Sequence, residues 1–161
     1  MALAPNQKEG TPVGFICDWV YVTITNPKAN IFTAQMLENT AIPIPINHGE
    51  GRFMFSATEP VLSTQVSIQY CDEHGARKTQ FPINPNGATQ NIAAISNTKG
   101  NALAIMPHPE RATFMKQIPS WLQNPWSIQK LTKSNHFKQG PWAPLFAGMI
   151  HYISENRSKW H

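Results

Sequence analysis

The segment that most restricts how this chain can fold is residues 100–111, which read G-N-A-L-A-I-M-P-H-P-E-R. Its first residues are typical of a turn, and the apolar residues that follow predict a short strand. Pro107 and Pro109 fix their own φ angles and prevent a helix from starting directly after the strand, so a stiff loop is expected there. The strand therefore carries His108 and Glu110 to its carboxyl end, which is where open α/β sheets bind their ligands.

His108 and Glu110 are separated by one residue, and together they suit acid–base catalysis. An imidazole that is oriented by a nearby carboxylate can act as a general base and activate a nucleophile. The same spacing also occurs in proline-rich surface loops that have no catalytic role. The spacing alone leaves both interpretations open.

The rest of the chain predicts a strand-rich α/β fold. Runs of β-branched, aromatic and alternating apolar residues predict strands at 15–25, 41–46, 65–71, 92–96 and 102–106. The second of these contains Pro43 and Pro45, which cannot donate to a sheet ladder, so an edge or irregular strand is expected there. Fourteen prolines and five tryptophans favour ordered, non-helical connections over a helical bundle.

A single domain over residues 1–161 is expected from the length. Residues 1–14 are polar and contain proline and glycine, which predicts a flexible lead-in with little structure. A helical turn is expected at 31–37, and 143–156 reads as an amphipathic C-terminal helix. Between them, 112–142 is expected to be a loop-rich tail region, with a helical segment over 114–122 and a polar loop over 124–140.

Composition and charge argue against several classes of function. The net charge of +4 is mild and the basic residues are dispersed, so a nucleic-acid module is not expected. The sequence has no apolar run long enough for a membrane span, and the N-terminus lacks the basic-then-apolar order of a secretory signal. Two cysteines do not make a disulfide framework, so we expect reduced thiols and a cytoplasmic location.

Three further motifs, taken together with residues 100–111, carry a family resemblance. They are F-I-C-D-W-V-Y-V at 15–22, P-I-N-H-G-E-G-R-F at 45–53 and N-P-N-G-A-T-Q-N-I-A-A-I at 84–95. In this order they resemble the class I glutamine amidotransferases, and more narrowly the glutaminase domain of phosphoribosylformylglycinamidine synthases. The combination of H-G-E-G with M-P-H-P-E-R is specific to that domain, whereas H-P-E alone indicates only the broader class. Residues 70–87 and the tryptophan-containing tail are more similar to the long single-chain synthases than to the separate subunit.

The resemblance implies the C-terminal part of a flavodoxin-like α/β domain with a Cys-His-Glu triad. In that chemistry a cysteine thiolate attacks the side-chain amide of glutamine, ammonia leaves, and water hydrolyses the thioester. His108 matches the triad histidine, which takes the thiol proton, and Glu110 matches the carboxylate that fixes its tautomer. Asn47, Gly49 and Glu50 match a loop that lines the glutamine site largely through backbone groups.

The resemblance also implies partners beyond this chain. Ammonia released from glutamine passes to a synthetase domain or subunit, which uses ATP and magnesium to amidate formylglycinamide ribonucleotide in purine biosynthesis. ATP and magnesium are therefore expected on the synthetase, and no cofactor or metal is expected in this chain. No nucleic-acid or membrane partner is expected.

The family's nucleophile lies in a strand-to-helix elbow of the form G-x-C-x-G, and neither cysteine of this chain fits that pattern. Cys17 falls inside a predicted strand, where a buried, inert thiol is expected, and Cys71 ends another strand. We therefore expect the nucleophile half of the domain to lie outside this chain, which would then be inactive alone. The alternative is a non-catalytic, truncated domain that acts as an interaction module with the synthetase or with itself.

Other polar and aromatic residues show no pattern of comparable specificity. His48 is expected to shape its glycine-containing loop or to be solvated, with a catalytic role as the alternative. Asp72 and Glu73 are expected to form a turn rather than a carboxylate pair. The remaining histidines have no metal-ligand spacing: His74, His136, His151 and His161. Three tryptophans are expected to serve packing or interdomain contacts: Trp121, Trp126 and Trp142.

Overall fold

A five-stranded antiparallel sheet forms the centre of the fold in the computed structural model, which describes residues 1–56, 58, 60–122, 124–131 and 137–156. In chain order the elements are β1 (Ala2–Ala4), β2 (Gln7–Lys8), β3 (Thr11–Pro12), β4 (Ile16–Ile24), β5 (Ile42–His48), β6 (Arg52–Met54), β7 (Val66–Cys71), β8 (Ile92–Ser96), β9 (Leu103–Ile105), α1 (Pro125–Lys130) and α2 (Ala143–Glu155). The central sheet has the order β5-β4-β7-β8-β9, and each neighbouring pair is antiparallel.

The strand-rich α/β architecture with a C-terminal helix is confirmed. The five predicted strands correspond to β4, β5, β7, β8 and β9, and each boundary agrees to within two residues. A flavodoxin-like sheet is built from parallel strands. The five strands of the central sheet pair antiparallel, so the parallel part implied by the family resemblance is not formed by the described residues.

The prolines of β5 place it at the edge of the sheet, as the sequence predicts. Pro43 and Pro45 have no N–H, and each lies at a position where the backbone points away from β4. Their carbonyl oxygens accept hydrogen bonds from outside the sheet, from the indole Nε1–H of Trp142 at 2.8 Å and from the backbone N–H of His108 at 2.9 Å. The outer edge of β5 is therefore covered by the segments that carry these two residues.

The core lies against the middle of the sheet. Val22, Ile24, Ile44 and Ile68 are fully buried, and Trp142 closes the same cluster from the segment before α2. Burial of each such side chain stabilises the fold by about 1.5–3 kcal/mol. The residues of β4 are buried toward its end but largely exposed at its beginning. The beginning of this strand therefore extends beyond the core.

Residues 1–14 are not a lead-in with little structure, and that prediction is wrong. β1 pairs with β6, with Leu3 opposite Phe53, and β2 pairs with β3 as a small hairpin. Asn6, between these strands, is fully buried. The polar composition suggested solvent exposure, but the Asn6 side chain satisfies its hydrogen bonds inside the fold.

The region 112–142 contains more regular structure than predicted. Instead of a helix over 114–122, two 3-10 turns form at Met115–Gln117 and Ser120–Leu122, because Pro119 between them lacks the N–H that a continuous helix needs. α1 lies within the predicted polar loop, where the Asn124 side chain caps it by accepting from the N–H of Ser127 at 2.8 Å. The loop residues 132–136, His136 among them, and His161 lie outside the described residues.

The predicted C-terminal helix is confirmed as α2, but it buries only part of its apolar surface. Leu145 is buried, and Gly148 allows the helix to approach the carbonyl oxygen of Ile31, which a Cβ would reach at 2.8 Å. Ile150 and Ile153 are 68% and 59% exposed. Among the described residues, no helix is both long and apolar enough to cross a membrane. A helical turn was expected at 31–37, but residues 31–35 form a series of turns and no regular helix.

Candidate active site

His108 and Glu110 form a hydrogen-bonded pair on the segment that follows β9. The Nδ1 atom of His108 lies 2.8 Å from Oε1 of Glu110. A 3-10 helix begins between them at Pro109 (Pro109–Ala112), which turns the carboxylate back toward the ring. With Nδ1–H donated to the carboxylate, Nε2 carries the lone pair of a neutral imidazole. The side chain of His108 is 35% exposed, so this geometry presents a base that a ligand can reach.

Gln117 supports the same segment, and nothing in the sequence pattern singled it out. Its Nε2 donates to the backbone oxygen of Glu110 at 3.3 Å, and its Oε1 accepts from the N–H of Phe114 at 2.8 Å. Thr113 Oγ1 also donates to the Glu110 oxygen, at 3.3 Å. The backbone of the carboxylate residue is therefore held by two neighbouring side chains.

Asn47 lies near the end of β5, and Gly49 and Glu50 lie in the loop that follows this strand. Asn47 is half-buried and lies opposite Cys17 in the strand pair, while Glu50 is exposed. The carbonyl oxygen of Gly49 accepts from the backbone N–H of Asn6 at 2.9 Å. Because His108 is bonded to β5 at Pro45 and this loop leaves the end of the same strand, the structure brings the two predicted parts of the site to one strand.

His48 is buried rather than solvated. It is 7% exposed, and its Nδ1 lies 3.1 Å from Oδ1 of Asn6. Burial lowers the pKa of His48 from 6.5, because it disfavours the charged ring, and the nearby charge of His108 lowers the pKa further. Nε2 of His48 is buried and has no hydrogen-bond partner among the described residues.

Two asparagines that the sequence did not single out hold this loop from below. The Nδ2 atom of Asn6 donates to the carbonyl oxygens of His48 at 2.6 Å and Gly14 at 2.9 Å, and its Oδ1 accepts from the N–H of Gly51 at 3.2 Å. Asn86 Nδ2 donates to the carbonyl oxygen of Gly51 at 2.8 Å. Asn86 belongs to the N-P-N-G turn, so this network joins two of the motifs that carry the family resemblance.

Comparison with known proteins assigns the chain to a family. Residues 3–153 match the family described as the CobB/CobQ-like glutamine amidotransferase domain. The chain belongs to this glutamine amidotransferase family. The resemblance inferred from the sequence motifs is therefore confirmed.

Several relatives of this amidotransferase chain are named as phosphoribosylformylglycinamidine synthases or as their PurQ subunit. It is 40% identical over 113 residues to the synthase subunit PurQ of Saccharolobus solfataricus, covering 70% of this chain and 46% of that protein. It is 34% identical over 150 residues to PurQ of Methanothrix thermoacetophila, covering 90% and 53%. The synthase of Drosophila melanogaster is 33% identical over 128 residues, covering 71% of this chain and 9% of that protein.

A solved structure shares the fold of this amidotransferase chain. The structure of PurLQS from Thermotoga maritima matches with a TM-score of 0.57 and 26% sequence identity, over 94% of this chain and 52% of that one. The chain thus spans about half the length of the PurQ relatives that it matches first.

Neither cysteine of the amidotransferase chain lies in a strand-to-helix elbow. Cys71 is buried on β7, and burial, reinforced by the charge of Asp72, raises its pKa to about 12, so it stays a thiol at neutral pH. Cys17 is exposed, and the prediction of a buried thiol is wrong, because it lies on the part of β4 that extends beyond the core. Cys17 lines a cavity with Arg111 rather than the groove that contains His108.

The other candidate residues lie in a turn, on the surface or in the core. Asp72 accepts from the backbone N–H groups of His74 and Ala76 at 3.0 and 2.9 Å, which confirms the predicted turn. His74 and His151 lie on the surface, next to Glu73 and Glu155 respectively. Within the described part of the chain, no group of three or more His, Cys, Asp or Glu residues could hold a metal. Trp142 is a packing residue, whereas Trp121 is 63% exposed.

Proposed function

We propose that this chain is the histidine- and glutamate-bearing part of the glutaminase domain of a phosphoribosylformylglycinamidine synthase, which supplies ammonia from glutamine for purine biosynthesis. The observation that carries the proposal is the 2.8 Å contact between His108 Nδ1 and Glu110 Oε1, with His108 Nε2 left as the free base. Its relatives of known name support the same reaction.

In this proposal His108 moves a proton in each step of glutamine hydrolysis. Its Nε2 takes the proton of a cysteine thiol, and the thiolate attacks the side-chain amide carbon of glutamine. The same proton passes to the amide nitrogen as the C–N bond breaks and ammonia leaves. His108 then takes a proton from the water that attacks the thioester and returns it to the cysteine sulfur as glutamate departs. Glu110 holds the ring and stabilises the imidazolium that forms.

The end of β5 and the loop after it form the proposed glutamine-binding segment. Asn47, Gly49 and Glu50 would line the substrate site largely through backbone groups. Support comes from the common attachment of this loop and of His108 to β5, which fixes the distance between the proposed base and the proposed binding segment.

In this proposal the nucleophile is neither Cys17 nor Cys71. Another segment of the domain supplies it. The outer edge of β9 supports docking of such a segment, because within the described residues β9 pairs with β8 alone. Apolar grooves of about 440 and 350 Å³ flank this strand, one containing Ala104 and the other Ile105. His108 and Glu110 line the second groove, so a segment docked there would lie beside the base.

A synthetase domain or subunit is the proposed recipient of the ammonia. The synthetase would bind and use ATP and magnesium, and this chain would contribute no cofactor. The relatives from Saccharolobus solfataricus and Methanothrix thermoacetophila are named as subunits of a synthase, which supports assembly with a further subunit. The free thiols of Cys17 and Cys71 support a reducing, cytoplasmic setting for this work.

The second candidate function is a non-catalytic interaction module that docks on the synthetase or on a second copy of the chain. The open edge of β9 and the exposed apolar side chains Ile150 and Ile153 on α2 favour it. These features serve docking equally well whether or not the docked segment brings a nucleophile.

Reconstitution distinguishes the two functions. The chain is mixed with a polypeptide that supplies the remaining half of the domain, and ammonia release from glutamine is measured. We expect release that His108→Ala abolishes and that His74→Ala, a change in an exposed histidine of the same chain, leaves unchanged. Ammonia release no greater than that of His108→Ala would contradict the catalytic proposal, and co-purification with a synthetase would then favour the interaction module.

A further inference from the structure

The loop of residues 48–51 depends on one buried side chain, that of Asn6. Asn6 is fully buried, and its Nδ2 atom lies within hydrogen-bond distance of two carbonyl oxygens, those of His48 and Gly14. Both of these partners can only accept, so Nδ2 is the amide nitrogen and Oδ1 is an acceptor. The Oδ1 atom accepts from the N–H of Gly51. One amide group therefore joins the beginning of the loop to its end.

The same argument fixes the tautomer of His48. Its Nδ1 lies 3.1 Å from Oδ1 of Asn6, and since that oxygen can only accept, Nδ1 must carry the proton. Nε2 of His48 then has a lone pair, is buried, and has no partner among the described residues. The nearby charge of His108 acts on this ring. A His48 ring that stays neutral adds no positive charge next to the base when His108 becomes protonated.

Gly51 shows how closely the loop and the ring fit. A Cβ at this position would lie 2.2 Å from Nδ1 of His48 and 2.5 Å from its Cγ. The loop thus passes directly over the ring edge that contacts Asn6. The Asn86 side chain also holds this residue, by donating from Nδ2 to the carbonyl oxygen of Gly51 at 2.8 Å.

From these contacts we infer that Asn6 is a positioning residue of the glutaminase site: it holds the 48–51 loop closed and keeps His48 in the Nδ1–H tautomer beside His108. The inference rests on the proposed function for its catalytic consequence. The tautomer and the loop geometry do not depend on that function. Asn6 touches no reacting atom in this arrangement and acts through the loop and through His48.

Nitrogen-15 NMR of the full chain tests the structural half of the inference. In the wild-type chain we expect the imidazole signals of His48 to show a protonated Nδ1 and an unprotonated Nε2. Asn6→Ala is expected to change that pattern and to shift the backbone amide signals of Gly49, Glu50 and Gly51. Asn30→Ala, which removes another buried asparagine that bonds backbone N–H groups, is the matched control and is expected to leave these signals in place.

The catalytic half is tested with the reconstituted domain. Asn6→Ala is expected to lower kcat/KM for glutamine about 10- to 100-fold, mainly through KM, because the loop that it holds is the proposed binding segment. Asn6→Asp keeps the Oδ1 acceptor for His48 and Gly51 but places a buried carboxylate oxygen against the carbonyl oxygens of His48 and Gly14, so a loss at least as large as that of Asn6→Ala is expected at neutral pH. His48→Asn retains a donor at the Nδ1 position and is expected to preserve more activity than His48→Ala.

Two results would overturn the inference. One is a wild-type His48 that is protonated at Nε2. The other is an Asn6→Ala chain whose loop signals and KM change no more than those of Asn30→Ala. If the wild-type reconstituted domain releases no ammonia, the proposed function fails, and the NMR result alone then decides the role of Asn6. Loss of folding in Asn6→Ala leaves the decision to the tautomer of His48 in the wild-type chain and to the comparison of His48→Asn with His48→Ala.

Discussion

The backbone N–H of His108 donates to the carbonyl oxygen of Pro45 at 2.9 Å, so the proposed base is fixed to the outer edge of β5. The same strand ends at His48 and continues into the proposed glutamine-binding loop. Since a proline has no N–H to offer, the edge of β5 is suited to accept hydrogen bonds from a loop rather than to pair with another strand. One edge strand thereby sets the relative position of the two halves of the site.

Substitution of Gly51 is expected to disturb His48. In Gly51→Ala the new Cβ would lie 2.2 Å from Nδ1 of the buried His48 ring, which has little room to move. We expect the free energy of unfolding in urea to fall by about 1–3 kcal/mol. Gly49→Ala is the control, since its Cβ would lie 3.7 Å from the exposed ring of Phe15 and should change stability by less than about 0.5 kcal/mol. Equal losses in the two variants would show that contact with His48 is not the cause.

The parts of the structure that the sequence predicted well are those set by local patterns. β8 and α2 follow from apolar periodicity over a few neighbouring residues. The spacing of His108 and Glu110 left their pairing open, and the family resemblance was what implied it.

The parts that were missed depend on residues far apart in the chain. Asn6 bonds to His48 across 42 residues, and nothing in a polar N-terminal segment indicates that its side chain is buried. Cys17 lies in a well-predicted strand, but its exposure depends on how far the core extends along that strand. Local pattern predicts which elements form, whereas burial at their ends is decided by tertiary packing.

Acid is expected to weaken the turn at Asp72. Lys78 Nζ lies 2.9 Å from Oδ2 of Asp72, and this contact, with the N–H groups of Ala76 and His74, lowers the pKa of Asp72 to about 2. The unfolded pKa is about 3.9, so the ionised carboxylate stabilises the fold above about pH 4 and loses that contribution as the pH falls toward 2. In thermal melts from about pH 5 to about pH 2, Asp72→Asn should remove part of the acid sensitivity. Glu73→Gln, which changes the exposed residue next to Asp72, is the control. Curves for Asp72→Asn that parallel those of the wild-type chain would contradict this assignment.

The two cysteines are expected to differ in reactivity. Cys17 is exposed, whereas Cys71 is buried with its pKa raised to about 12, and the thiolate is the reactive form. A thiol reagent such as DTNB should therefore titrate one thiol in the native chain and the second only after unfolding. Cys17→Ser should abolish native labelling and leave ammonia release by the reconstituted domain unchanged. Loss of ammonia release in Cys17→Ser would identify Cys17 as the nucleophile and would contradict the proposed mechanism.

The outer edge of β9 is expected to make the isolated chain either self-associate or be only marginally stable. Among the described residues, the outer edge of β9 has no paired strand and lies between two apolar grooves, which favours pairing with another chain. Ala104→Lys places a charge in the middle of β9 and should reduce self-association in sedimentation velocity. Ala76→Lys adds the same charge on an exposed turn and should not. A sharp two-state melt of a monomeric wild-type chain would contradict the prediction.

The most direct test of the central claim is kcat for ammonia release by the reconstituted domain carrying Glu110→Gln. The carboxylate of Glu110 orients the His108 ring and fixes its tautomer, so its replacement by an amide should lower kcat about 10²- to 10⁴-fold with folding intact. Glu155→Gln alters the exposed Glu155–His151 pair on α2 and serves as the matched control, with no change in kcat expected. A Glu110→Gln domain that releases ammonia as fast as Glu155→Gln would contradict the assignment of His108 and Glu110 as a catalytic pair.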